Sequence, residues 1–287
     1  MLFYELNPQS FVPLLFLSTI GRKLAHLKLI VLLSHNGTEC CKWAHFMKEV
    51  EKYQLALAKG LKNKNIVMAN ILTRSAQGLS LAEKRILFAA IAKMGGRFED
   101  VKISAEEYAE TFQIELNTAY EQLKRAAHNF FTRYFSLSIP DRKGTLEWKF
   151  NWLLAYAYHD NEGYVTLAFS PKVMPYLCDL EQQFTKYKLK QACALRSIYS
   201  WRLLELFEQQ SSGWVLISIE EFWHSMEATA THRRSFGETR RKIIEPAIKE
   251  LIEKDGWLIN WLPIKTGRKV TQLRFDFRKD PQGRLGI

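Results

Sequence analysis

The chain has 287 residues, 47% of them hydrophobic, and a formal charge of +11 at pH 7, with a pI near 9.4. That length fits two compact domains better than one, and the apolar share is enough for real cores, which excludes a disordered tail. The cationic excess favours a polyanionic partner, nucleic acid or anionic lipid, and the position of the charges must decide between them. Cys40, Cys41, Cys178 and Cys193 lack metal-ligand spacing and have no histidine at a matching offset. They read as reduced structural thiols of a cytoplasmic protein, with no metal and no cofactor.

Residues 1–46 stand apart. The stretch 11–33 is apolar but interrupted by Arg22, Lys23, His26 and Lys28. A spanning helix would bury those charges at about 2.5–3.5 kcal/mol each near its centre, so no membrane partner is expected. A signal peptide would want its charges before the apolar run and small residues after it. Residues 1–46 are therefore expected to be an upstream extension. Met47 opens a helical pattern, giving a lead-in helix or linker over 47–63.

Ser80 and Glu83 have the spacing of a capping box, and Leu81, Ile86, Leu87, Ala90, Ile91 and Met94 then give an apolar helical face that ends at Gly95-Gly96. A module that occurs twice follows. Val101-Lys102-Ile103-Ser104-Ala105-Glu106-Glu107-Tyr108 reappears as Val215-Leu216-Ile217-Ser218-Ile219-Glu220-Glu221-Phe222. Each copy predicts a short strand, a capping box and a helix. In the first copy, Asn117 is expected to cap the next helix, whose buried stripe is Tyr120, Leu123, Ala126, Ala127 and Phe130. A strand over 134–139 and a turn at 140–144 lead to a strictly alternating strand, with Leu146, Trp148, Phe150 and Trp152 on its buried face. A second turn at 160–163 leads into a strand over 164–169. Helix, strand, helix, helix and hairpin sheet make a winged helix.

Pro171 and Pro175 break the pattern, and a long helix is expected over 189–210, where it repeats the role of the Ser80 helix. The second copy then gives a strand over 214–217, a capped helix running through Met226, a polar connection at 229–234, and a helix over 236–253. Pro246 inside that helix should kink it or mark a break. Strands over 257–264 and 270–277 close on a basic turn. The fold class expected is α+β: two tandem winged-helix domains, a pseudo-repeat, helix-rich with small antiparallel hairpin sheets. The first spans 64–185, the second 186–278, and 279–287 is a tail.

The second helix of a helix-turn-helix enters the major groove, and its N-terminal residues meet the bases. Here that region carries Arg233, Arg234, Arg240, Arg241 and Lys242, opposed by Glu238. Arginine suits this site because its planar fork bonds O6 and N7 of guanine together. Arg240 leans toward the apolar side by helical phase, which also fits a structural role. Lys265, Arg268 and Lys269 form a basic hairpin tip suited to phosphate, or simply a charged turn. The first copy is less basic: Lys124, Arg125 and Arg133 face Glu115 and Glu121, and its turn carries Arg142 and Lys143. Weaker or backbone-directed contact is expected there. No G-x-x-x-x-G-K-[ST] loop and no His-x-His pair beside a tyrosine is present, so no enzyme is expected and no residue is assigned a catalytic role.

Three stretches stand out together: Asn65 to Asn70 followed by Leu79-Ser80-Leu81-Ala82-Glu83-Lys84-Arg85; Phe184-Thr185-Lys186-Tyr187 with Arg196 to Leu206; and Arg240-Arg241-Lys242-Ile243-Ile244-Glu245-Pro246-Ala247-Ile248-Lys249-Glu250-Leu251. As a set they resemble the iteron-binding initiator (Rep) proteins of theta-replicating bacterial plasmids. The similarity covers roughly 64–278; Leu204 departs from it, standing where the family usually has tyrosine. The resemblance implies that the second winged helix reads direct repeats in double-stranded origin DNA. It implies that the first contacts adjacent DNA and forms a dimer interface. Monomers would open the origin and recruit the host initiator and replicative helicase, and dimers would repress the initiator's own gene. The alternatives are a tandem winged-helix repressor without replication activity, and a membrane-associated basic protein using 11–33.

Overall fold

The structure is a computed structural model that describes residues 60–280 except 76, 179, 181 and 182. The expected extension at 1–46, the apolar stretch 11–33, Cys40, Cys41, most of 47–63 and nearly all of the tail lie outside the described residues.

Within 60–280 the two copies fold alike. The first comprises α2 (Leu81–Met94), β2 (Val101–Ser104), α3 (Ala105–Phe112), α4 (Leu116–Phe131), β5 (Leu153–His159) and β6 (Tyr164–Phe169). Before it come β1 (Asn65–Ala69) and α1 (Asn70–Arg74). The second comprises α6 (Ile198–Glu208), β8 (Trp214–Ser218), α7 (Ile219–Ser225), α8 (Ala230–Arg233), the recognition helix (α9 Phe236–Thr239 and α10 Glu245–Asp255), β9 (Trp257–Thr266) and β10 (Lys269–Lys279). Their sheets run β2-β6-β5 and β8-β10-β9, both antiparallel, so the strand before the capped helix pairs with the last strand in each. The fold is α+β, two tandem winged helices.

The first copy carries an insertion that alternation alone could not identify. β3 (Tyr134–Asp141) and β4 (Gly144–Asn151) pair only with each other and form a separate ribbon. The alternating strand therefore belongs to this ribbon, and the wing hairpin of the copy is β5–β6. The register Phe135↔Phe150 and Leu137↔Trp148 does align these residues on one face. Only its base is covered: Phe135 and Leu137 are buried, while Leu146 and Trp148 remain about half exposed. Trp152 lies past the end of β4 and is fully buried.

Three local expectations are also corrected. Ser80/Glu83 and Ser218/Glu221 form full capping boxes, but Ser104 makes only half of one. Glu107 Oε2 instead takes Lys93 Nζ at 2.6 Å. Helix α4 starts after Glu115 with no side-chain cap, so Asn117 does not cap it. The long helix expected over 189–210 is broken: α5 (Lys190–Cys193) ends, and α6 starts at Ile198 with Ser197 as its cap.

Pro246 resolves as a π-turn at Arg240–Ile244, between α9 and α10. Proline offers no N–H to the Lys242 carbonyl four residues back, and its ring crowds that carbonyl. Widening the turn re-pairs the chain: Glu245 N donates to Arg240 O, five residues back.

Helix α6 is the hub. Its N-terminal half packs Trp201 on Phe88 of the first copy at 5.1 Å between centroids. Its C-terminal half stacks Phe207 on Phe277 of the second at 4.1 Å. β7 (Phe184–Lys188) returns to pair with β1. Cys178 and Cys193 are both buried, and burial pushes the Cys193 thiol up to about 12.

Candidate nucleic-acid interface

The recognition helix is fixed at its start by three short polar contacts. Ser235 Oγ accepts from Glu238 N at 3.2 Å and caps α9. Buried Thr239 donates Oγ1 to His232 O at 2.7 Å and accepts from Trp223 Nε1 at 2.9 Å, tying the recognition helix to α8 and α7. The connection expected to be merely polar at 229–234 is itself the short helix α8, capped by Thr229. These positioning residues were missed in the sequence. The Ser235…Glu238 spacing carried the signal for one of them; Thr239 carried none, because a threonine at an apolar phase looks the same whether or not its hydroxyl is used.

The five cations of this region divide by what they touch. Arg233 donates Nε to Ala228 O at 2.7 Å and Nη2 to Trp223 O at 3.3 Å, closing the end of α7. Arg240 turns back onto Glu245 Oε1 at 2.6 Å and lies 6.0 Å from the Trp261 ring centroid. Arg241 pairs with Glu238, which also stands in the first turn of α9. Arg234 and Lys242 are exposed and have no acidic partner among the described residues.

At the hairpin tip, Lys265, Arg268 and Lys269 are all exposed, again with no acidic partner among the described residues. The register Lys265↔Val270 and Thr266↔Lys269 sends the two lysines to opposite faces of the ribbon. One lysine on each side suits a wing that lies along a charged backbone.

The first copy is arranged differently. Its wing tip, at residues 160–163, is acidic. Asp160 Oδ1 holds Lys124 Nζ at 2.5 Å, a hydrogen bond that raises the lysine pKa, and Glu162 lies 3.8 Å from Lys102 Nζ. Arg133 is bidentate on Glu83, at 3.0 and 3.2 Å, and so braces the start of α2. Arg125 is exposed on α4. Arg142 and Lys143 sit at the tip of the inserted β3–β4 ribbon, not on the winged sheet where they were expected. The wing turn itself needs Gly163, at φ +57°, because a Cβ there would fall 1.8 Å from the Tyr120 ring.

The second copy thus carries exposed cations without acidic partners, among the described residues, on its second helix and on its hairpin tip. A surface with an exposed helix start, flanking cations and a two-sided basic wing can hold a duplex by its phosphates and present side chains to base edges. Among the described residues no group of three His, Cys, Asp or Glu is placed to hold a metal ion, and no helix is long and apolar enough to cross a membrane.

Comparison with known proteins agrees with two tandem winged helices, with the first match running on through α6. Residues 65–208 match the family model described as Initiator Replication protein, WH1, and residues 218–277 match Initiator Rep protein, WH2. The chain is 26% identical over 259 residues to the PI protein of Escherichia coli, covering 76% of this chain and 84% of that one. It is also 26% identical over 230 residues to a Replication initiation protein of Escherichia coli, covering 76% and 70%. Among solved structures it superposes on the Pi initiator protein, crystallised with iteron DNA, with a TM-score of 0.64 at 24% identity, over 77% of this chain and 99% of that one. That likeness is one of fold.

Proposed function

This chain belongs to the initiator replication protein family, and from that premise we propose that it starts plasmid replication by binding direct repeats, or iterons, in double-stranded origin DNA. The observation that carries this reading is the unpaired positive charge of the second winged helix: Arg234 and Lys242 on the recognition segment, and Lys265, Arg268 and Lys269 on the wing. Arg241, aimed by Glu238, is the base-reading candidate, while Arg240 is held on Glu245 and Trp261. Arg233 acts through the turn that it closes. The name of one relative, Replication initiation protein, and the iteron DNA in the Pi complex support the same reading.

The division of labour follows. The second winged helix, 186–278, reads sequence. The first, 64–185, adds backbone contact through Arg125, Arg142 and Lys143, with Lys124 held by its aspartate, and supplies the surface for self-association. Monomers open the origin and recruit the host initiator and helicase; dimers repress the gene for the chain itself. The protein works in the cytoplasm, without catalysis, metal or membrane.

The deciding experiment is binding anisotropy on the direct repeats flanking the gene, against a scrambled duplex, at two salt concentrations. Strong preference for the repeats is expected. Equal and steeply salt-dependent binding to both would reduce the protein to a basic DNA coat. A plasmid-maintenance assay then separates an initiator from a repressor.

Two substitutions test the roles within the site. Arg241→Ala should weaken binding to the repeats by about 1–3 kcal/mol and relax sequence preference at one position. An equal loss on repeat and scrambled DNA removes Arg241 from base reading. Lys269→Ala should weaken binding to all DNA alike and lower the slope of log K against log salt by about 1. An unchanged slope takes Lys269 out of the phosphate contacts.

A further inference from the structure

Two carboxylates of the second winged helix each hold a pair of backbone N–H groups, one of the pairs on the first copy. Glu227, in the loop after α7, accepts with Oε1 from Gln77 N at 2.6 Å and Gly78 N at 3.0 Å, just before α2 of the first copy. Glu250, on α10, accepts from Arg196 N at 2.6 Å and Ser197 N at 3.2 Å, at the start of α6. Arg196 in turn reaches Phe112 O of the first copy at 3.4 Å.

The Glu227 contact is the more demanding. The carboxylate also pairs with Arg202 of α6, which is buried. Arg202 Nη1 donates to Ser225 O of the second copy at 2.6 Å and to Ser75 O of the first at 3.4 Å. Glu227 itself has φ +49°, a left-handed conformation that a residue with a side chain adopts only when its surroundings hold it there. Gly78 has φ +66°, and an added Cβ would meet Tyr134 O at 3.4 Å. Both backbones are thus bent to bring the amides and the carboxylate together. Apolar contact tolerates sliding, but charge-assisted bonds to two amides and a guanidinium are directional, and they add to the buried Lys84–Glu205 pair between α2 and α6.

We propose that Glu227 is the positioning residue that sets the register between the two winged helices, so that both meet one duplex at a single spacing. This rests on the DNA-reading role proposed above. Glu227 touches no DNA; it acts by fixing where the recognition helix stands relative to the first copy.

The test uses the full chain. Duplexes are selected from a random pool by the wild-type protein, and footprinting maps the segment covered by each copy. Two base pairs are then inserted between the segments, turning one against the other by about 70° at 10–10.5 base pairs per turn. Wild type should lose about tenfold or more in affinity on insertion. Glu227→Gln should lose less than about threefold, with a weakened footprint on the first segment and an unchanged one on the second. A folded Glu227→Gln protein that pays the full insertion penalty, or loses both footprints equally, overturns the proposal. If Glu227→Gln does not fold, Glu227→Asp, one methylene shorter, should pay an intermediate penalty, and an undiminished one is equally fatal. A wild-type chain that selects a sequence but pays no insertion penalty overturns the positioning role alone. A wild-type chain that selects no sequence removes the DNA-reading role, and this proposal with it.

Discussion

Lys84→Met should destabilise the protein by about 3–5 kcal/mol, read as a shift in urea midpoint at constant slope. Lys84 Nζ lies 2.8 Å from Glu205 Oε2 and 2.9 Å from Gln77 Oε1, and both charged side chains are fully buried. Glu205 Oε1 has no hydrogen-bond partner among the described residues. Removing the ammonium therefore leaves a carboxylate in the interior with little to hold its charge. The double variant Lys84→Met/Glu205→Leu should recover most of the loss, because an apolar pair of similar volume needs no compensation. A single variant as stable as wild type would mean that the buried pair contributes nothing to stability.

The same pair makes stability depend on pH. Burial pulls the Lys84 pKa down to about 8, with Glu205 pulling the other way, from an ordinary 10.5. Below about pH 8 both the folded and the unfolded chain hold the proton. Between about 8 and 10.5 the unfolded chain keeps it while the folded one releases it, so the contribution of this group to stability rises with pH across that window. The difference in stability between wild type and the double variant should therefore drift in favour of wild type as pH goes from 7 to 9. A flat difference would place the lysine pKa near its ordinary value.

The second large effect is expected at Trp201. Trp201→Ala should cost about 3–5 kcal/mol, from lost burial and the cavity left behind. The indole is fully buried on α6, packs on Phe88 and lies 6.4 Å from Phe112 between centroids, and donates Nε1 to Tyr187 Oη at 2.9 Å. Burial raises the Tyr187 hydroxyl well above its usual range, so the phenol stays neutral and needs that partner. Trp201→Phe should fill most of the space and lose mainly the hydrogen bond, about 1–3 kcal/mol. A Phe variant as damaged as the Ala variant would make the hydrogen bond, not the packing, the dominant contribution. The consequence reaches function, since α6 is packed by both copies and carries Arg202, the partner of Glu227.

Much of this was legible in the chain. The repeated strand-cap-helix module folds as two sheets of the same order, and Ser80/Glu83 and Ser218/Glu221 cap as their spacing implies. Local chemistry suffices there, because a serine and a glutamate three apart meet within one turn whatever surrounds them. The cations of the recognition segment were visible too, but their partners were not: Arg233 ends on two carbonyls, Arg240 on Glu245 and Trp261. Ser104 shows the limit of local reading, since Glu107 left its cap for Lys93.

The sequence by itself determined the periodicities, the caps, the repeat and the excess of positive charge, all set by contacts within a few residues. Only the tertiary structure decided that the alternating strand of Leu146 and Trp148 builds an inserted ribbon, that the wing of the first copy is acidic, and that Glu227 joins the two copies. A period of two says which side chains share a face, but what covers that face depends on strands and loops far along the chain. The partner of a charge is likewise chosen by whichever distant group the fold brings within about 3 Å, a distance that no spacing along the sequence encodes.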